Sequence, residues 1–126
     1  MEIKRGGIVS QLLVQVPIPK MFRAKQSFPR PVIQTKDIPR IVFEELSKEG
    51  IVELIKPDMR IAVTAGSRGI ANVDNITKAI VDFIKRKQAI PFIVPAMGSH
   101  GGATAEGQLE ILASYNITEA TMGCPI

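Results

Sequence analysis

Two tetrapeptides in this 126-residue chain repeat one pattern: Gly66-Ser67-Arg68-Gly69 in "TAGSRGIANVD" and Gly98-Ser99-His100-Gly101 in "PAMGSHGGATAE". Each follows a short apolar run and precedes a helix-like stretch. His100 is the only histidine, and histidine is the side chain whose ordinary ionisation falls near neutral pH, which suits general acid/base work. Arg68 carries a planar fork of donors that can clamp a carboxylate or phosphate. Gly66, Gly69, Gly98 and Gly101 let the backbone approach a ligand or cofactor closely. Ser67 and Ser99 could be nucleophiles, but no second histidine or obvious aspartate partner is in view, so hydrogen bonding to a substrate or to a helix start is the preferred reading. The competing explanation is structural, since tight strand-to-helix turns need glycine anyway and a lone histidine is commonly a surface residue. The coincidence of the one histidine with an arginine at the equivalent joint favours a shared site.

The elements around these turns read as follows. Leu12–Val16 looks like a first strand, and residues 17–36, with Pro17, Pro19, Pro29 and Pro31, an extended connection. A helix is expected from Asp37 to about Glu49, with Pro39 in its first turn, Ile38, Ile41, Val42 and Leu46 on one face and Gly50 at its end. Residues 51–57 fit either a strand or a last turn. Ile61–Thr64 is a continuous apolar run, as expected of a strand buried on both faces. A helix from about Asn72 to Lys87 follows, with Ile76, Ala79, Ile80, Phe83 and Ile84 as its apolar stripe. Ile90–Val94 is the next strand, and a helix from about Thr104 to Tyr115 places Ala105, Leu109, Leu112 and Ala113 inward. Alternating strands and helices predict an α/β fold, a parallel sheet of βα repeats in a Rossmann-like three-layer arrangement. Ligands of such sheets bind at the carboxyl ends of the strands, where both turns lie.

The bulk properties narrow the classes. An apolar fraction of 45% with 22% charged residues is that of a globular chain. No apolar run approaches the ~20 residues of a membrane span, and no secretory signal is recognisable, so no membrane partner is expected. The single Cys124 excludes an internal disulfide and fits a reducing cytoplasm. One histidine and one cysteine are too few for a metal centre built by this chain alone. Neither turn is a phosphate-binding loop of the Gly-Lys-Ser/Thr type or a dinucleotide fingerprint. Lys4, Arg5, Lys20, Arg23, Lys25, Arg30 and Lys36 face no acid between Ile3 and Lys36. This basic arm has no recognisable binding motif, so it reads as a solvated edge and nucleic acid is not an expected partner.

The segment "RIAVTAGSRGIANVDNITKAIVDFIKRKQAIPFIVPAMGSHGGATAEGQLEILASYNI" resembles the N-terminal catalytic domain of the lactate racemase family, the nickel-pincer-nucleotide-dependent racemases and epimerases of 2-hydroxy acids. The likeness is to the uncharacterised branch carrying "PAMGSHGGATAEGQ" itself; it is specific over about residues 57–126 and loose before. It implies that Arg68 orients the substrate carboxylate and that His100 is one of two acid/base histidines, one on each face of the substrate. The family's cofactor takes a hydride from the α-carbon while a histidine takes the hydroxyl proton. Two departures stand out: Ala65 replaces an acidic residue three positions before the arginine, and Gly69 replaces a proline after it. The lysine that anchors the pincer, the nickel-ligating histidine and the second catalytic histidine have no counterpart in these 126 residues. The resemblance therefore makes residues 1–126 the leading part of such a domain, with 1–36 a basic, proline-rich arm and 37–126 the βα units. By itself this part is expected to be inactive.

Three classes remain open on the residues alone: an isomerase acting on a small 2-hydroxy acid, a non-catalytic anion- or nucleotide-binding α/β module, and an interaction domain using the basic arm. An exposed sheet edge would also allow a homo-oligomer.

Overall fold

The computed structural model describes Gly7, Ile8 and residues 20–126; the strand expected at Leu12–Val16 lies outside the described residues. Backbone contacts divide the chain into two units, Met1–Pro31 and Val32–Ile126. In the first, residues 20–31 form no regular secondary structure, in keeping with Pro29 and Pro31, which remove backbone donors and bias their neighbours toward extended conformations.

The second unit carries the architecture. Helix α1 (Ile38–Leu46) opens after a 3-10 turn at Thr35–Asp37, with Pro39 in its first turn, where its missing N–H costs no hydrogen bond. It stops at Ser47, short of the expected Glu49, and Gly50 turns the chain at φ +84°. The ambiguous residues that follow form a 3-10 turn at Val52–Leu54. Strand β1 (Arg60–Ala65), helix α2 (Val73–Arg86), strand β2 (Ile90–Pro95), helix α3 (Ala105–Ser114) and the short helix α4 (Glu119–Met122) complete the order. β1 and β2 pair in parallel, from Arg60 opposite Ile90 to Ala65 opposite Pro95. The Ile90 N–H donates to Met59 O at 2.8 Å, so the alternation points the N–H groups of Phe92 and Val94 toward β1 as well. Pro91 therefore falls on the opposite edge, where its missing N–H breaks no bond to β1. On that edge the Ile93 N–H donates to Pro125 O at 2.8 Å.

The core lies on one face of this pair. Ala65, Val81, Ile93, Met97, Leu112, Ile117, Met122 and Cys124 form one buried cluster, so α2, α3 and α4 share the same side of the sheet. The other face, bearing Ala62, Thr64, Ile90 and Val94, is exposed among the described residues. This corrects the reading of Ile61–Thr64 as a strand buried on both faces: the run is apolar, but among the described residues only one side is covered.

Helix α2 is buried on two sides. Thr77, Val81 and Ile84 are buried along one side, and Ala79 and Phe83 turn toward α1, where Phe43 meets Phe83 edge-on at 5.3 Å. A single stripe drawn from the sequence left out Thr77 and Val81, because a helix packed between a sheet and another helix is apolar over more than one arc. Helix α3 departs further. Of Ala105, Leu109, Leu112 and Ala113, only Leu112 is buried; Ile111 and Tyr115 complete the contact.

Candidate functional site

Both turns leave the sheet at its carboxyl edge. The Ala96 N–H donates to Ala65 O at 2.7 Å, carrying the β1–β2 ladder one step beyond the strands. After β1 the chain runs through Gly66–Ala71 to Asn72, a left-handed residue at φ 59° that starts α2, and the Thr35 hydroxyl donates to Asn72 Oδ1 at 3.1 Å. After β2, Met97–His100 closes a turn with the His100 N–H on Met97 O at 3.2 Å, and Gly98 takes φ +59°.

The second turn is fastened to α3. Thr104 caps the helix by accepting from the Gly107 N–H at 3.1 Å, and its hydroxyl also contacts Gly101 O at 3.1 Å. The Gln108 side-chain amide donates to Gly98 O at 2.8 Å. Gly101 and Gly107 touch backbone to backbone: a Cβ on Gly107 would lie 2.1 Å from Gly101 O. The first turn is fastened from the far end of the same helix, where the Tyr115 hydroxyl donates to Ser67 O at 2.7 Å.

These anchors bring the turns together. Ser67 Oγ and His100 Nδ1 share a hydrogen bond across the two turns, which leaves Nε2 as the ring nitrogen open to a ligand. A cleft of about 350 Å³ is lined by Gly66, Ser67, Arg68, Ile70, Val73, Ala96, Met97 and His100. Among the described residues that line it, Arg68 is the one that is permanently charged and none is a carboxylate. At a helix start, a guanidinium fork can hold a small anion and an imidazole can move a proton, and this cleft has both.

The sequence-predicted residues divide. Arg68, His100, Ser67 and Gly66 meet in the cleft; Ser99, Gly69, Gly98 and Gly101 are outside its lining. Ser67 contacts His100 rather than a helix start, and Ser99 makes no capping bond. The two turns are also less alike than their sequences: Gly98 and Gly101 have positive φ, whereas Gly66 and Gly69 do not. Sequence reasoning missed Tyr115, Gln108 and Gly107. Of these only Gly107 carried a signal, as an isolated glycine inside a helical pattern.

Among the described residues no group of three His, Cys, Asp or Glu side chains could hold a metal ion. The one imidazole has Nδ1 engaged by Ser67, and the one thiol is buried in the core. The donor set of these residues does not fit a nickel centre. No helix among the described residues is long and apolar enough to cross a membrane. Comparison with family models, with curated proteins and with solved structures finds no match to the chain.

Proposed function

We propose that the cleft between the two turns binds a small 2-hydroxy acid, and that the chain forms the N-terminal part of a racemase or epimerase of the lactate racemase type. In this reading the Arg68 guanidinium takes the carboxylate, bidentate in the plane of its fork. The substrate hydroxyl lies against His100 Nε2, which accepts its proton and later returns it. The observation that carries the reading is the Ser67–His100 hydrogen bond, which sets the proton carrier of one turn against the turn that bears Arg68.

Two further features support it. Gly66 and Gly69 have no positive φ, a Cβ on Gly66 would make an ordinary 3.9 Å contact with Ala96 O, and one on Gly69 would meet nothing within 4 Å. The fold demands glycine at neither position, and at Gly66, which lines the cleft, the missing side chain leaves room for a ligand's close approach. The exposed sheet face is apolar at Ala62, Ile90 and Val94, as a Rossmann-like three-layer fold with helices on both faces would require.

Titration of the chain with lactate and with propionate, which lacks the hydroxyl, tests this reading. Lactate is expected to bind roughly three- to tenfold more tightly, the range of one net hydrogen bond. Arg68→Ala should abolish binding of both, and His100→Ala should remove only the preference. Equal binding of the two acids, insensitive to His100, would instead establish a non-catalytic anion-binding module, the reading that the carboxylate-free lining also favours.

A further inference from the structure

We infer that Ser67 is a positioning residue that orients the His100 imidazole through Nδ1 and lets its proton sit on either ring nitrogen. The inference deepens the functional reading above and rests on it for the direction in which protons travel.

The geometry begins with the backbone. Ser67 O accepts from the Tyr115 hydroxyl, and Tyr115 packs against the buried core at the end of α3. Ser67 is thus held in place before its own hydroxyl makes any contact. That hydroxyl reaches across 33 positions of sequence to His100 Nδ1, instead of pointing at a ligand as its sequence context suggested. Arg68 lines the same cleft as the ring and the Tyr115 hydroxyl bonds the backbone of Ser67; among the described residues that line the cleft none is a carboxylate.

The chemistry of a hydroxyl partner differs from that of the carboxylate that commonly orients a catalytic histidine. A carboxylate only accepts, so it holds the proton on the nitrogen it faces and favours the imidazolium. A hydroxyl donates or accepts. When Ser67 donates to Nδ1, the neutral ring carries its proton on Nε2 and offers it to a ligand. When Nδ1–H donates to Ser67, Nε2 is bare and can take a proton. A histidine that takes a hydroxyl proton uses the second state, becomes the imidazolium with Nδ1–H still donating to Ser67, and returns the proton from Nε2. The first state holds a bound hydroxyl by donating a hydrogen bond, and Ser67 can support each.

Because His100 is the only histidine, ¹⁵N-histidine labelling of the full chain gives a single ring whose tautomer ratio and titration midpoint are read without ligand. Ser67→Ala is expected to change the tautomer ratio roughly fivefold, the equivalent of one net hydrogen bond. Ser67→Thr should restore the wild-type ratio, and Ser67→Asp should raise the titration midpoint by about a unit or more. Ser67→Cys, close to isosteric with a weaker donor, gives an intermediate ratio and replaces Ser67→Ala should that variant not fold. A ring in Ser67→Ala, or in Ser67→Cys where that stands in, with wild-type ratio and midpoint would overturn the inference. Failure to bind 2-hydroxy acids would instead remove the functional reading and leave the ring measurement standing.

Discussion

Gly101 and Gly107 are in backbone contact, with no room for a side chain on either. A Cβ on Gly101 would sit 2.4 Å from the carbonyl carbon of Gly107, and Gly101 also holds φ +63°. This contact lays the His100 turn against the first turn of α3, where Thr104 and Gln108 fasten it. Gly107→Ala is expected to cost about 1–3 kcal/mol, the range of overpacking in a tight site. The loss is read as a lower denaturation midpoint, together with a changed His100 ring signal. An equally stable Gly107→Ala variant with an unaltered ring signal would show that the turn is positioned by other means.

Gly69 gives the opposite expectation. Its φ is not positive and a Cβ there meets nothing within 4 Å. Gly69→Ala should therefore leave the native fold intact and stabilise it by roughly 0.4–1 kcal/mol, through a less flexible unfolded chain. If the glycine is kept for a ligand's approach, the same variant binds carboxylates more weakly. Higher stability with unchanged anion affinity would show that Gly69, outside the cleft lining, takes no part in binding.

The two leucines of α3 report where the helix faces. Leu112 is fully buried, while Leu109 is 41% exposed. Leu112→Ala is expected to cost about 2–5 kcal/mol, as deletion of a fully packed leucine does, and Leu109→Ala about 0.5 kcal/mol or less. Comparable losses at both positions would contradict the face assigned to α3.

These leucines also mark what the sequence could and could not convey. The strand-turn-helix order around Ser67 and His100 was legible, because the apolar runs at Ile61–Thr64 and Ile90–Val94 end at glycine-rich turns. The pairing of Arg68 with His100 in one cleft followed from the parallel register and from both turns leaving the same edge. The inward face of α3 was not legible. Its leucines and alanines are spaced to suit more than one stripe, and Gly107 in place of a side chain shifts the contact toward Ile111, Leu112 and Tyr115. The Tyr115–Ser67 and Gln108–Gly98 bonds join residues brought together only by the return of α3 over the turns. No local spacing encodes them.

Cys124 supplies a pH-dependent prediction. Its thiol is buried with Met122, Ile93 and Leu112, and burial pushes its pKa up, with Glu119 adding to the effect against the opposing pull of Lys85 and Lys78. Below the unfolded value, near ~8.5, both states keep the proton and the group has no effect on stability. Above it the unfolded chain loses the proton while the native chain retains it, so the native state binds more protons and stability falls as pH rises. The denaturation midpoint of the wild-type chain should therefore drop more steeply above about pH 8.5 than that of Cys124→Ala. Native Cys124 should also react slowly with iodoacetamide and rapidly once unfolded, since the thiolate is the nucleophile. Parallel pH profiles for the two chains, or rapid alkylation of the native thiol, would place Cys124 in contact with solvent and outside the core that carries β2 and α3.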